Sequence, residues 1–241
     1  MSKKIIVTGV TSGIGWSITQ MLIENGFQVY GIGRREDRLK LLEKSLGDKR
    51  DRFCGFSIDL RDRNAISSFF ENLPSIDGLI NNAGLGHASS LIEGDPNHWQ
   101  EMLDVNILAL CICTQKSIQN MITHGNNGQI IHISSMSAHR VPQGSGMYSA
   151  TKFAVRSLTE GLRKELREKQ LPIRISSISP GFVETEFAEL YHKSESIAKK
   201  IYSQYPVLQP KDIAEQVLFL LRLPEHVEVH DILMRPTLQP N

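Results

Sequence analysis

Apolar positions in this chain follow two periods in alternation. Short, β-branched runs at 4–8, 28–32, 53–58, 77–81, 129–134 and 173–179, with a weaker one at 227–234, predict strands. Between them, at 13–25, 36–46, 62–72, 97–123, 149–169 and 211–222, the pattern predicts helices. Leu158, Leu162 and Leu166 recur at i, i+4 and i+8 and predict one buried stripe. Asp95-Pro96 supplies an N-cap followed by proline at the first helical position, opening a stretch long enough to cross the domain. Apolar strands alternating with helices imply βαβ units and a parallel sheet covered on both faces. The expectation is an α/β fold: one domain over residues 1–241, built on a doubly wound, seven-stranded parallel sheet. The stretch 181–210 lacks clear periodicity. Segments of that length commonly act as lids or binding loops, so a substrate lid is expected at about 186–205.

Composition narrows the partners. The 241 residues are 40% hydrophobic and 22% charged, enough for a real core and unlike a disordered chain. Lys+Arg total 27 against 26 Asp+Glu, a net charge of +1 that argues against nucleic-acid and anionic-membrane partners. No CxxC pair is present. Cys111 and Cys113 lie in the apolar run Ile107–Cys113 and are expected to be buried, inert thiols, as in a reducing compartment. Only Ile5, Ile6 and Val7 form the apolar run near the start, short of the ~7 residues of a secretory segment. The longest run is far below the ~20 residues that span a bilayer. A soluble, cytoplasmic protein is expected. The eight histidines show no H-E-x-x-H spacing, so no metal is expected.

The first strand runs into Thr8-Gly9-Val10-Thr11-Ser12-Gly13-Ile14-Gly15, and a helix follows. Glycine permits the sharp turn and lets a diphosphate approach the backbone, where free N–H groups and the helix dipole favour an anion. A bare glycine-rich turn is often only a turn. Its place at the first βα junction, where a doubly wound sheet binds a dinucleotide, favours the functional reading and a Rossmann-type domain. Tyr148 and Lys152 are four apart at a helix start and so share a face. A free tyrosine titrates near ~10. An ammonium about 4 Å away would favour phenolate by ~4 kcal/mol at an effective dielectric of 20, roughly three pKa units. A lone Y-x-x-x-K is usually a core tyrosine beside a solvated lysine; with Ser135 and the glycine loop upstream, catalysis is the better reading.

The spacing T-G-x-x-x-G-x-G resembles the short-chain dehydrogenase/reductase family, NAD(P)(H)-dependent oxidoreductases of about this length. Other motifs agree in order: Asn81-Asn82-Ala83-Gly84 after the fourth strand, Asn106 in Asp104-Val105-Asn106, and Ser135 thirteen residues before Tyr148. Lys152 comes four later, and Pro180-Gly181 with Thr185 follows the sixth strand. The resemblance implies that Ser135 polarises a substrate carbonyl and that Tyr148 gives or takes the proton. It implies that Lys152 holds the nicotinamide ribose and lowers the tyrosine pKa, and that Asn106 anchors a water of a proton relay. Ser134 and Ser137 are alternatives to Ser135, separated from it only by spacing. The plain reading of Asn106 is a polar residue pinning its helix.

By the same resemblance, a dinucleotide would lie on Gly9, Thr11, Ser12, Gly13, Ile14 and Gly15, and on Asn82, Ala83 and Gly84. Asp59 and Leu60 would meet its adenine end; Tyr148, Lys152, Pro180, Gly181, Val183 and Thr185 would meet its nicotinamide end. Gly33-Arg34-Arg35 ends the second strand, where an NAD enzyme places a carboxylate and an arginine suits a 2′-phosphate. NADP(H) is therefore expected to be preferred, NAD(H) remaining admissible. Glu36 and Asp37 fit the first turn of the next helix, and Asp59 also reads as a helix N-cap.

The substrate is expected to be a small-molecule alcohol or carbonyl compound. Its pocket candidates are Leu85, His87, Met136, His139, Gln143, Phe182 and the 186–205 segment with Leu190 and Tyr191; His139 or Arg140 could meet an acid. Gly33-Arg34-Arg35-x-x-x-Leu39 and Met234-Arg235-Pro236-Thr237 resemble the family branch of NADP-dependent 3-hydroxy-acid dehydrogenases and carbonyl or ketosteroid reductases. The rival reading is a non-catalytic NADP(H)-binding sensor. The long helical stretches at 97–123 and 149–169, which the family pairs across a two-fold axis, lead to the expectation of a homotetramer before a homodimer.

Overall fold

The computed structural model describes residues 2–125 and 127–240; Met1 and Asn241, the ends of the expected 1–241 domain, and Asn126 lie outside them. Among the described residues, β1 (Lys4–Thr8), β2 (Gln28–Gly33), β3 (Phe53–Ser57), β4 (Gly78–Asn81), β5 (Gln129–Ile133), β6 (Arg174–Pro180) and β7 (Asp231–Met234) form one sheet. All pairings are parallel, in the order β3-β2-β1-β4-β5-β6-β7. The order reverses between β1 and β4, and a crevice opens beyond their carboxyl ends.

Helices cover both faces. They are α1 (Gly13–Glu24), α2 (Glu36–Ser45), α3 (Arg63–Glu71), α4 (Pro96–Leu103), α5 (Leu110–Thr123), α6 (Gly146–Glu168), α7 (Phe187–His192), α8 (Glu195–Tyr202) and α9 (Pro210–Arg222). Successive side chains of β1 point to opposite faces, yet Ile5, Ile6 and Val7 are all fully buried, because both faces are packed. Ile5, Val7, Ile131 and Ile178 meet Ile18 and Leu22 of α1 and Val217 and Leu221 of α9. Ile6, Leu79, Ile130 and Ile175 meet Ile66 and Phe69 of α3, Cys113 of α5 and Leu166 of α6. Each such side chain stabilises the fold by roughly 1.5–3 kcal/mol.

The structure departs from the expected elements in several places. The 97–123 stretch is one helical run interrupted by a π-turn, Asp104–Ala109, between α4 and α5. Asp95 caps it as expected, accepting from Asn97 N at 2.9 Å, with Pro96 at the first position. Leu158 is exposed, so the α6 stripe is carried by Leu162 and Leu166 without it. Cys111 is half-buried while Cys113 is buried, since the i, i+2 spacing turns them to different sides of the helix. The 181–210 stretch contains α7 and α8, joined through Lys193 in the left-handed region (φ 51°). They are too short to leave a clear period in the sequence. The last strand begins at Asp231, not 227. Over 227–229 the chain is held by side chains instead of a ladder, before Ser177 N donates to His230 O (3.0 Å): Ile175 N donates to Glu228 Oε1 (2.8 Å), and Arg174 Nη1 donates to the carbonyls of Leu223, Pro224 and Val227. Asp59 is not a helix cap; Asp62 caps α3, accepting from Asn64 N and Ala65 N. No helix among the described residues is long and apolar enough to cross a membrane.

At the switch point the exits of β1 and β4 are tied together. Thr8 Oγ1 accepts from Asn82 N and Ala83 N, both at 3.0 Å. Asn82 Nδ2 donates back to Thr8 O (2.9 Å) and Gly9 O (3.2 Å). Thr8→Val keeps the shape and removes the acceptor. It is expected to lower the unfolding free energy by about 1–3 kcal/mol, read as a lower urea midpoint at unchanged slope.

Candidate active site

The turn after β1 requires its glycines. Gly9 has φ +73°, and a Cβ there would fall 2.9 Å from Ala83 Cα. A Cβ on Gly15 would lie 2.1 Å from Gly9 O, so α1 is packed directly on the turn. Ser12 occupies the N-cap of α1 without a side-chain cap, which leaves first-turn amides and the positive end of the dipole for an anion. A backbone cradle that no side chain fills, at a helix N-terminus, fits the pyrophosphate of a dinucleotide.

A cleft of about 320 Å³ lies over this turn. Gly9, Thr11, Ser12, Gly13, Ile14, Arg34, Arg35, Asp59, Leu60, Asn82, Ala83, Gly84 and Thr185 line it. A second cleft of about 310 Å³ is lined by Ser135, Tyr148, Lys152, Pro180, Gly181 and Val183. Ile14, Asn82, Gly84, Thr185 and Phe187 line both, so the two are continuous. Gly15 and Asn106 line neither and stand behind the walls.

The arginine pair divides. Arg34 is exposed, whereas Arg35 donates to Thr11 Oγ1 (3.3 Å) and pairs with Glu186 at 3.0 Å. Arg38, one turn on, takes the other oxygen of Glu186 at 3.3 Å. Glu36 and Asp37 occupy the first turn of α2 as expected. Arg61 grips Asp59 with two donors, and this hydrogen bonding holds the Asp59 carboxyl below its usual range.

Tyr148 and Ser135 line the second cleft together, and the Ser135 hydroxyl is placed to favour the phenolate. Ser135 Oγ also accepts from Ser137 N (3.0 Å), which fixes the turn after β5. Ser134 Oγ is buried with no partner, so of the three serines it is Ser135 that reaches the tyrosine. Lys152 Nζ donates to Ile133 O (3.1 Å) and lies 5.8 Å from the Tyr148 ring centre. The phenol pKa is pushed up by burial, with the Ser135 hydroxyl acting against this and Tyr191 adding to it. That is opposite to the shift expected from a lysine 4 Å away. The ammonium is bonded to the main chain, and loss of water outweighs its charge. Burial lowers Lys152 itself to about 8.

Asn106 sits in the π-turn. Its Nδ2 donates to Leu85 O (2.8 Å) and Thr151 Oγ1 (3.1 Å), and its Oδ1 accepts from Leu85 N (2.9 Å). Thr151 Oγ1 in turn donates to Tyr148 O (2.7 Å). The side chain thus pins its helix both to the loop after Gly84 and to the second turn of α6.

Of the substrate-pocket candidates, Met136, Gln143, Phe182, Tyr191 and Arg140 line the second cleft, while Leu85 and Leu190 line the first. His87 and His139 line neither. His87 binds Glu101 (2.8 Å) and stacks on His98; His139 pairs with Asp231 (3.1 Å). Carboxylates on neighbouring elements have drawn both away from the clefts. Tyr202, inside the expected 186–205 segment, also lines the second cleft; sequence reasoning missed Gln239, which lines it too, and the Arg38–Glu186 pair. Arg38 follows Arg35 by three residues, a helix-face spacing that was available as a signal. Gln239, whose Oε1 accepts from Phe182 N at 3.0 Å, arrives from the chain's far end and left none.

A family model described as short chain dehydrogenase matches residues 3–196. Human "Dehydrogenase/reductase SDR family member 11" is 42% identical over 245 residues, covering 97% of this chain and 94% of that one. A "Probable NADP-dependent dehydrogenase" of Haemophilus influenzae is 37% identical over 241 residues, covering 97% and 93%. Among solved structures, a closed form of serine dehydrogenase complexed with NADP+ superposes with a TM-score of 0.93 at 33% identity, covering 99% of this chain and 96% of that one. With the glycine turn, the parallel sheet and the Ser135–Tyr148–Lys152 cluster in place, the chain belongs to the short-chain dehydrogenase family of oxidoreductases.

Proposed function

We propose that the protein interconverts a secondary alcohol and a ketone or aldehyde using NADP(H), with Tyr148 as general acid and base. The observation that carries this is the convergence of Ser135, Tyr148 and Lys152 on one cleft wall where the two clefts join, with Lys152 Nζ 5.8 Å from the Tyr148 ring centre. When bound in the first cleft, the dinucleotide would supply or accept the hydride. Ser135 would donate a hydrogen bond to the substrate carbonyl oxygen. Tyr148 Oη would give its proton to the oxygen as negative charge develops there, and take it back in oxidation. A raised phenol pKa suits the donor role, because the proton is held until an alkoxide can receive it. Lys152 and Tyr148 would hold the nicotinamide ribose, and Asn106 would support a water behind Lys152. A sensor protein would have no need of this cluster.

The segment 186–205 is the proposed substrate lid. Support comes from its contacts: Tyr191 O accepts from Ala88 N (3.1 Å), and Tyr202 Oη donates to Thr185 O (3.2 Å). Phe187 and Tyr191 pack on the Tyr148 ring. The proposed assembly is a homotetramer before a homodimer, supported by apolar groups left exposed on α5 (Ile122, 49%) and α6 (Phe153, 39%).

NADPH consumption over a panel of carbonyl compounds tests the activity. Tyr148→Phe is expected to reduce turnover by roughly 10²–10⁴-fold while NADPH still binds; near-wild-type turnover would sink the mechanism. Arg34→Ala with Arg35→Ala is expected to raise the NADPH Michaelis constant at least about tenfold, as loss of a charge-assisted contact worth ~1.5–3 kcal/mol requires. The NADH constant should change little, and equal use of both cofactors by the wild type would remove the basis for this. Light scattering after gel filtration should give a multiple of the 27.1 kDa chain mass, four before two; a single chain mass would contradict the assembly.

A further inference from the structure

Glu186 is the first residue of the proposed lid, and its carboxylate lies where Arg35, which lines the first cleft, and Arg38 converge. One oxygen meets Arg35 at 3.0 Å and the other meets Arg38 at 3.3 Å. Arg35 comes from the loop after β2 and Arg38 from the first turn of α2, so one carboxylate spans two elements. Thr11 holds the rest of the Arg35 guanidinium, leaving Nη1 as the donor turned to Glu186. Arg35 and Glu186 both line the cleft, next to Arg34.

A phosphate monoester seeks the donors that a carboxylate takes: planar guanidinium N–H groups, with opposite charge. We infer that Glu186 is an internal competitor for the 2′-phosphate of the dinucleotide, holding Arg35 and Arg38 until the phosphate displaces it. This rests on the NADP(H) reading above and goes beyond it, because it assigns the cost of binding to a residue of the lid. Arg34, Arg35 and Arg38 carry three positive charges. With Glu186 in place the local sum is two; with a 2′-phosphate dianion added it is zero, and carboxylate and phosphate repel each other across the same donors. Displacement frees the N-cap residue of α7 from α2, so the phosphate also loosens the anchor of the lid. NAD+ carries no such phosphate and leaves the pair intact.

The test is calorimetric binding of NADP+, NAD+ and 2′,5′-ADP to the wild type, Glu186→Gln and Glu186→Ala, with melting temperatures recorded to establish folding. The carboxylate is 36% exposed, and screened charge pairs of this kind correspond to about fivefold in affinity. Both variants should bind NADP+ and 2′,5′-ADP about fivefold tighter and NAD+ within twofold of wild type. A wild type that prefers NADP+ over NAD+, with variants that bind NADP+ no tighter or more weakly, overturns the inference alone. Equal tightening for NAD+ overturns it as well, since the effect would not be at the phosphate. A wild type with no preference for NADP+ overturns the cofactor reading and this inference with it.

Discussion

One hydroxyl oxygen, that of Thr8, accepts two amide hydrogens from the loop leaving β4, and the side chain of that loop's Asn82 returns two donors to the turn leaving β1. The two loops diverge at the switch point of the sheet, so nothing in the ladder holds them together beyond the last strand residues. Side-chain hydrogen bonds do it instead. Their geometry sets the width of the crevice and the seat of Gly9 against Ala83. Asn106 extends the tie to the π-turn and α6 through Leu85 and Thr151. The phosphate turn, the loop beside it and the helix bearing Tyr148 therefore form one bonded unit on a sheet packed on both sides.

Burial governs the electrostatics of that unit. It raises the Tyr148 pKa and lowers that of Lys152, so both groups are biased toward their neutral forms. Behind Lys152, His132 is fully enclosed and lowered to about 3, by burial and by the lysine's charge. Its ring nitrogens lie 3.3 Å and 2.9 Å from the Thr114 and Thr159 hydroxyls, so the neutral ring is satisfied without a counter-ion. The strand thus brings a polar side chain behind the lysine without adding a second positive charge.

The fold was legible because its signal is local and repeated. Each strand is an apolar run, each long helix has a periodic face, and the glycine turn and Tyr148–Lys152 spacing are short-range patterns. What escaped was set by contacts across the chain. The late start of β7 depends on Arg174 and Glu228 replacing a ladder, and the withdrawal of His87 and His139 depends on carboxylates 14 and 92 residues away in sequence. The expected fall in the Tyr148 pKa failed for a related reason: spacing places two groups on one face but does not report how much water is lost, or that a main-chain carbonyl holds the lysine.

The π-turn at Asp104–Ala109 has a consequence for how this helix tolerates changes in length. Such a turn holds one residue more than regular winding needs. Deleting a single residue there would let the segment relax into ordinary α-helix, and the helix as an element would survive. The winding beyond it would keep nearly its present rotation, because the wider turn is what absorbs the extra residue. Cys113, Ser117 and Met121 of α5 would stay buried, whereas Asn106, inside the turn, would be re-aimed away from Leu85. The helix and its packing are thus indifferent to the missing residue while the tie through Asn106 is not, so the turn uses its extra residue to aim one side chain.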